Sequence, residues 1–197
     1  MECFPVIISS PSGGGKTTIV ARLLKSDKRL SRVVTATTRA PRAGERDGKD
    51  YYFWTAARFE AAVKKGRMAE WAKVHKDYYG IPKSSVNEVI KKKLCPVLVI
   101  DVQGACTVKK IFRDAVSIFI APPSMAELKK RIAARNDGTK DIKVRMESAR
   151  KEMAQIKFYD YLIINDILPD AVRECRAVIT AERRKVRRLE NVTGKGF

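Results

Sequence analysis

The chain has 197 residues, a length that suits one compact domain. Hydrophobic residues make up 45% and charged residues 32%, which excludes disorder throughout the chain. Its charge is unusual, because 41 lysines and arginines oppose 22 acidic residues and give a formal net charge of +19. This excess predicts polyanionic partners, either nucleic acid or phosphorylated small molecules.

The residue types narrow the chemistry further. The one histidine, His75, disfavours a multi-histidine metal site and Ser-His-Asp catalysis. The four cysteines form no CxxC pair, as a zinc knuckle or dithiol redox motif would require, and scattered cysteines are typical of reduced thiols in the cytosol. We find no signal-peptide pattern and no apolar stretch of the ~18–20 residues that a membrane helix needs. The sequence therefore predicts a cytoplasmic protein with no membrane partner.

Short apolar runs rich in valine and isoleucine alternate with helical patterns along the chain. The predicted strands are residues 4–8, 96–100, 117–121 and 161–164. The predicted helices are residues 16–24, 83–92, 104–112, 125–134, 142–156 and 169–183. Strands that alternate with helices predict a doubly wound α/β fold around a parallel sheet.

Three segments depart from this alternation of strands and helices. Residues 33–82 are polar, aromatic-rich and turn-rich, and they predict an insertion of short strands around one helix at 56–65. Residues 125–156 predict two charged helices joined by a turn. The basic tail from residue 183 to residue 197 is predicted to be frayed.

A glycine-rich segment follows the first predicted strand and opens the first predicted helix. It reads Ser10, Pro11, Ser12, Gly13, Gly14, Gly15, Lys16, Thr17, Thr18. This is nearly the P-loop pattern G-x-x-x-x-G-K-[ST], in which backbone N–H groups and the helix dipole hold phosphate. In that pattern Lys16 reaches the β- and γ-phosphates and the Thr17 hydroxyl holds Mg²⁺. The alternative is a glycine-rich turn that only caps a helix.

An acid, Asp101, follows the predicted strand at 96–100. In a P-loop enzyme an acid at this place positions Mg²⁺ or a water molecule. The alternative is that Asp101 forms a turn or caps the next helix.

The inserted segment carries residues suited to a phosphate and a base. Arg39 and Arg42 lie three apart beside a proline turn, and two guanidinium groups can clamp one phosphate. Tyr51 and Tyr79 offer phenols to such a group. The Glu70 carboxylate can accept two parallel hydrogen bonds from a base edge with adjacent N–H and NH₂ groups, which guanine has and adenine lacks. The alternative is that the arginines are surface charges and the tyrosines are core aromatics.

The sequence resembles the guanylate kinase family, P-loop nucleoside monophosphate kinases that transfer phosphate from ATP to GMP. The resemblance is carried by residues 9–18, the Thr-Thr-Arg-x-Pro-Arg block from Thr37 on to Tyr51, and residues 70–80, 100–104 and 163–166. It implies a P-loop NTPase fold, with a parallel sheet core flanked by helices. The core comprises residues 1–32, 83–124 and 157–197, with a mixed α+β GMP-binding insertion at about 33–82 and a helical lid at about 125–156.

The resemblance also assigns roles to matching positions. The implied ATP site comprises Ser12, Gly13, Gly14, Gly15, Lys16, Thr17, Thr18, Arg131, Arg135, Asn165 and Asp166, with Asn165 near the adenine. The implied GMP site comprises Thr35, Arg39, Arg42, Tyr51, Glu70, Tyr79, Ile81 and Asp101, with Thr35 and Glu70 on the guanine. The implied catalytic residues are Lys16, Arg42, Arg135 and Arg145, and Thr17 would hold Mg²⁺.

Three departures from the family pattern affect these expectations. Ile81 replaces a serine or threonine whose hydroxyl meets guanine, so we expect a weaker guanine preference that Glu70 maintains. Val99 stands where the family has an acid. The acidic lid stretch is altered at residues 136–141 and is one residue shorter.

The expected function is Mg²⁺- and ATP-dependent phosphorylation of GMP and dGMP in purine metabolism, by a monomer or homodimer. One alternative is a P-loop kinase of a phosphorylated sugar, which would not need Glu70 and Thr35 beside a base. Another is a non-catalytic guanylate-kinase-like module, although such modules typically lose the lysine found here as Lys16. A nucleic-acid-binding protein is suggested by charge alone, without a helix-turn-helix, zinc or RNP signature, so no specific nucleic acid is expected.

Overall fold

The computed structural model describes residues 3–74, 76–134 and 142–189. The strands in these ranges are β1 (Val6–Ser9), β2 (Leu30–Arg32), β3 (Ala36–Thr37), β4 (Tyr52–Phe53), β5 (Met68–Val74), β6 (Asp77–Pro82), β7 (Cys95–Val99), β8 (Val116–Ala121) and β9 (Tyr161–Ile164). The α-helices are α1 (Lys16–Ser26), α2 (Ala56–Lys64), α3 (Lys83–Lys91), α4 (Val102–Ile111), α5 (Met125–Ala134), α6 (Ile142–Met153) and α7 (Leu168–Arg183). Short 3₁₀ helices cover Ile156–Phe158 and Val186–Arg188.

The main sheet is parallel and has the strand order β2-β7-β1-β8-β9. Alternate residues of its central strand face opposite layers. Val6 and Ile8 pack with α1 and α7, while Ile7 packs with α3 and α4. The predicted α/β fold is therefore confirmed, with buried apolar strands between two helical layers. Strand β2 was not predicted, because its three residues, Leu-Ser-Arg, form no apolar run.

A second sheet lies within the segment predicted as an insertion. Its order is β4-β3-β6-β5, with β3 parallel to β4 and antiparallel to β6. Helix α2 covers one face, where fully buried Phe59 packs with Ala36 and Met68. Ala69 and Ile81 join the main core beside Ile7, so this sheet is attached to the central one through apolar contacts.

Helices α5 and α6 pack together through Leu128, Ile132, Met146 and Ala149. Helix α6 ends at Met153, three residues before the predicted end. The lid stretch predicted to be altered, residues 136–141, lies outside the described residues. No helix in the described ranges has the length and apolar character needed to cross a membrane.

The prediction of a frayed tail from residue 183 is wrong for its described part, which ends at residue 189. The Arg183 residue is 2% exposed, and its guanidinium forms a salt bridge with Asp27. The Arg188 guanidinium is also buried, lies 4.0 Å from the centre of the Phe4 ring, and donates to the carbonyl of Asp114 at 2.9 Å. Part of the surplus positive charge therefore holds the fold together.

Candidate active site

The phosphate loop connects β1 to α1. Gly13 and Gly15 have φ angles of 90° and 95°, in the left-handed region that favours glycine. A Cβ atom on Gly15 would lie 2.1 Å from Nδ2 of Asn165, so a larger residue does not fit there. Ser10, which replaces the first glycine of the pattern, has no positive φ angle, and its hydroxyl donates to the carbonyl of Pro11 at 3.0 Å.

Asn165 supports this loop from the end of β9. Its side-chain amide is buried and donates to the carbonyl of Gly14 at 2.9 Å. Arg131 donates to the carbonyl of Asn165 at 3.0 Å and pairs with Glu127 at 2.9 Å. The resemblance implied contact between Asn165 and adenine, whereas the structure has its side chain turned toward the loop. The neighbouring Asp166 is exposed.

Lys16 begins α1 at the floor of a cavity of about 290 Å³. Its Nζ donates to the carbonyl of Ile100 at 3.1 Å. Burial lowers the pKa of Lys16, and the carboxylates of Asp101 and Glu152 oppose that change. Ser12, Gly13, Gly15 and Thr17 also line the cavity, while Thr18 is exposed on α1. Five of the seven predicted loop residues therefore line one cavity, and Gly14 and Thr18 do not.

Glu152 of α6 lines the same cavity and was not predicted. Burial raises the pKa of its carboxyl, while the N–H of Ser12 and the ammonium of Lys16 favour the charged form. Arg145, on the same helix, donates to Oγ of Ser12 at 2.9 Å. Positions seven apart lie on one helix face, so the spacing from Arg145 is a sequence signal that could have indicated Glu152. The predicted Arg135 lies outside the described residues.

Three of the predicted phosphate-binding residues meet beside the second sheet. The Arg39 guanidinium lies 5.6 Å from the centre of the Tyr51 ring, and the rings of Tyr51 and Tyr79 are 6.2 Å apart. Arg39 also forms a salt bridge with Glu45 at 2.9 Å, and Glu45 accepts a 2.7 Å hydrogen bond from the backbone N–H of Arg42. The Arg42 residue is exposed beside this group. Glu45 was not assigned a role from the sequence, and it is the carboxylate that pairs with Arg39 in this structure.

Glu70 and Asp101 share a second cavity, of about 420 Å³. Burial, assisted by the negative charge of Asp101, raises the pKa of Glu70 to about 7. Asp101 also accepts a 2.8 Å hydrogen bond from the N–H of Gly104 and caps α4, which is the alternative considered for this residue; the cap does not keep Asp101 out of the cavity. A Cβ atom on Gly104 would lie 3.0 Å from Oε2 of Glu70, so the glycine leaves room for that carboxylate.

Asp101 also lines the phosphate-loop cavity. The two cavities therefore meet at this residue.

Ile81 lies in β6 and Thr35 directly precedes β3, and neither lines the two cavities. Ile81 pairs with Glu70 across β5 and β6, but its side chain is 1% exposed within the main core. The structure differs here from the implied GMP contact, since Ile81 presents almost no surface to a ligand. Thr35 is partly buried, and its carbonyl accepts a 2.9 Å hydrogen bond from Tyr52.

Comparisons with known proteins show the family of the chain. A family model described as "Guanylate kinase" matches residues 3–182. A curated "Guanylate kinase" of Wolbachia pipientis wMel is 44% identical over 182 residues, covering 91% of this chain and 90% of the relative. A solved guanylate kinase of Anaplasma phagocytophilum has a TM-score of 0.77 and 32% identity, with 98% of this chain and 92% of that chain covered.

A shikimate kinase structure from Bacteroides thetaiotaomicron is similar in fold alone. It has a TM-score of 0.50 at 12% identity and covers 90% of this chain and 98% of that chain. Together with the parallel sheet and the glycine-rich loop before α1, the similarity to the solved guanylate kinase confirms the predicted P-loop NTPase fold, and the shikimate kinase is consistent with it. The chain belongs to the guanylate kinase family.

Proposed function

We propose that this chain transfers the terminal phosphate of ATP to GMP and to dGMP by in-line displacement, as a step of purine nucleotide metabolism. The observation that carries the proposal is the position of Asp101, which lines both the phosphate-loop cavity and the cavity that contains Glu70. A donor phosphate in the first cavity and an acceptor nucleotide in the second would therefore meet at one residue.

On the donor side, the task is to hold anionic phosphates close to a second anion. The loop N–H groups, the positive end of α1 and Lys16 offset the repulsion between the two. Arg145 is already held at the loop by Ser12, and Arg131 by Glu127 and the Asn165 carbonyl. We assign Arg145 and Arg135 to the stabilisation of charge in the transition state, and Asn165 to the support of the loop.

On the acceptor side, Arg39, Tyr51 and Tyr79 would hold the GMP phosphate, with Arg42 beside them. The phosphate would replace Glu45 as the partner of Arg39, because both are anions of similar reach. Glu70 in its charged form would accept hydrogen bonds from N1–H and the amino group of guanine. Accepting both hydrogen bonds requires the loss of the Glu70 proton, whose pKa is raised in the ligand-free chain.

Mg²⁺ fits the oxygen donors around the phosphate loop. Thr17, Asp101 and Glu152 line one cavity, and Mg²⁺ commonly keeps several water molecules and binds through few protein groups plus substrate phosphates. Within the described ranges, no set of three or more His, Cys, Asp or Glu side chains forms a metal site on its own. We assign the Thr17 hydroxyl to Mg²⁺, which when bound with ATP neutralises charge on the transferred phosphoryl group.

We further propose that residues 33–82 and 125–156 act as the GMP-binding insertion and the lid of one enzyme, and that they close over the core to exclude water. Both segments contribute side chains to the two cavities, Glu70 from the first and Glu152 from the second. The cytoplasm is the expected location, since all four cysteines are free thiols.

A coupled ADP-release assay with ATP tests the function. GMP and dGMP should be phosphorylated, AMP poorly, and ribose 5-phosphate not at all. Lys16→Ala should abolish turnover without unfolding the chain. Preferred use of ribose 5-phosphate would support a sugar kinase instead, and GMP binding without turnover would support a non-catalytic module.

Arg145→Ala separates transition-state stabilisation from substrate binding. The variant should lower kcat more than it raises the KM for ATP, because the charge it stabilises develops during transfer. A raised KM with unchanged kcat would reject this role.

A further inference from the structure

A cavity of about 660 Å³ lies outside the nucleotide site, between α2 and the beginning of α3. Its volume is in the range typical of small-molecule sites. Its wall includes the side chains of Trp54, Arg58, Lys65, Arg67, Lys83 and Asn87. None of the residues assigned above to ATP, GMP or Mg²⁺ lines it.

The wall of this cavity is strongly cationic. Four of its residues, Arg58, Lys65, Arg67 and Lys83, carry positive charges, and no acidic residue lines it. Within the part of the chain that the structure describes, none of the four forms a salt bridge, whereas Arg39 and Arg131 do. Four like charges around one cavity repel each other, and an anion between them would relieve that repulsion.

Two of these cations are already held in place. The Arg58 guanidinium lies 4.5 Å from the centre of the Trp54 ring, which is a cation–π contact. Nζ of Lys83 donates to the carbonyl of Gly66 at 2.8 Å. Neither contact neutralises the charge, and both reduce the side-chain entropy lost when a ligand binds.

The cavity spans the junction between the second sheet and the core. The N–H of Lys83 donates to the carbonyl of Arg67 at 2.9 Å, where β6 ends and α3 begins. Helix α3 packs on the main sheet through Val86 and Val89. A ligand in the cavity would therefore contact side chains on both sides of this junction.

We infer that this cavity is a second anion site, which binds a small molecule that carries at least two phosphate groups. Several cations spread along one wall suit a polyphosphate better than a single phosphate, since each phosphate group can meet a different guanidinium or ammonium. The apolar parts of the wall, Ala61, Ala62 and Pro82, leave room for an attached carbon group.

Titration calorimetry with inorganic tripolyphosphate in about 0.15 M salt tests this inference. The titration uses the full chain with Lys16→Ala, which weakens phosphate binding at the loop. Binding should persist in this background and weaken at least tenfold when Arg58→Ala and Arg67→Ala are added. The matched control adds Arg176→Ala and Arg184→Ala, which remove the same charge from exposed positions of α7 and just beyond it.

Three results would overturn the inference. The first is equal weakening by the cavity variant and the control, which would indicate a general effect of net charge. The second is unchanged binding in the cavity variant. The third is a single-stranded RNA oligonucleotide that binds through Arg58 and Arg67 more tightly than tripolyphosphate, which would make the cavity part of a nucleic-acid surface.

A second variant keeps the test independent of folding. Lys65→Ala with Arg67→Ala leaves both the Arg58–Trp54 and the Lys83–Gly66 contacts in place, and it should weaken tripolyphosphate binding to a similar degree. In the Lys16-containing chain, the ADP-release activity of the cavity variants should stay within about twofold of the parent. This readout distinguishes failure of the anion site from failure of the proposed kinase activity.

Discussion

The replacement Glu70→Gln removes one negative charge beside Asp101 and preserves the shape of the side chain. Burial and the charge of Asp101 raise the pKa of Glu70 to about 7 from an ordinary value of 4.5. The folded chain thus holds this proton more tightly than the unfolded chain does. Stability is therefore lost as the pH rises from 4.5 through about 7, and the loss is complete above that window.

The size of this effect follows from the pKa difference. One pKa unit corresponds to about 1.4 kcal/mol, so a change from 4.5 to about 7 sets an upper value of about 3 kcal/mol. Urea denaturation should show the variant to be more stable than the wild type by about 1–3 kcal/mol near pH 8.5, with no difference near pH 4. Glu174→Gln, at an exposed position of α7, should leave stability unchanged at both pH values.

The same replacement should impair GMP binding. Guanine presents two donors, and a glutamine amide offers one acceptor where the carboxylate offers two. Hydrogen bonds to a charged group contribute about 1.5–3 kcal/mol, so the KM for GMP should rise by about 10- to 150-fold. The KM of the wild type should fall as the pH rises through about 7, where Glu70 loses its proton. The variant should retain only the pH dependence of the GMP phosphate itself.

Two results would refute this reasoning. One is a stability difference that does not change with pH. The other is a variant that is less stable than the wild type at high pH. Either result would mean that ionised Glu70 carries no desolvation cost in the folded chain.

Three further variants test other features. Asp27→Asn should lower the free energy of unfolding at neutral pH by about 3–5 kcal/mol in urea denaturation, because it leaves buried Arg183 without its partner. The pairing holds the pKa of Asp27 at about 2 against burial, so its contribution to the free energy of unfolding should be lost as the pH falls from 3.8 through about 2. Gly15→Ala should raise the KM for ATP at least tenfold with little effect on the KM for GMP, because the alanine Cβ would meet Asn165. An unchanged KM for ATP would contradict the role of Asn165 in supporting the loop. Ile81→Ser should cost about 2–5 kcal/mol of stability, as other truncations of buried isoleucine do. An improved KM for GMP or a greater preference for GMP over AMP would show that position 81 reaches guanine. An unimproved KM and an unchanged preference would reject the implied contact.

The strands that could be predicted were those whose pattern is local. The runs at 96–100 and 161–164 are apolar, β-branched and bounded by polar residues, and the structure has β7 and β9 at those places. Strand β2 is three residues long with one apolar residue, Leu30, and its pairing with β7 is a contact between distant parts of the chain. Such a strand leaves no periodic signal in its own sequence.

In the candidate site too, features set by consecutive residues could be predicted, and features set by contacts between distant residues could not. The phosphate loop was predictable because its chemistry lies in nine consecutive residues. The contact between Asn165 and Gly14, 151 positions apart, and the entry of Glu152 into the phosphate cavity depend on how α6 and β9 pack against the loop. Arg183 and Arg188 were assigned to a solvated tail because their sequence is basic, and their buried partners lie elsewhere in the chain.

The strand order has a consequence for the folding of the chain during its synthesis on the ribosome. Strand β1 is made first but lies in the centre of the sheet, where Val6 pairs with Val97 on one side and with Val116 on the other. Ribosomes add about 5–20 residues per second, so the apolar β1 strand waits on the order of 5–20 s for its neighbours. During that interval both edges of β1 are uncovered, and unpaired apolar edges promote association between chains. Nascent chains of this fold should therefore depend on chaperones until β8 has left the ribosome.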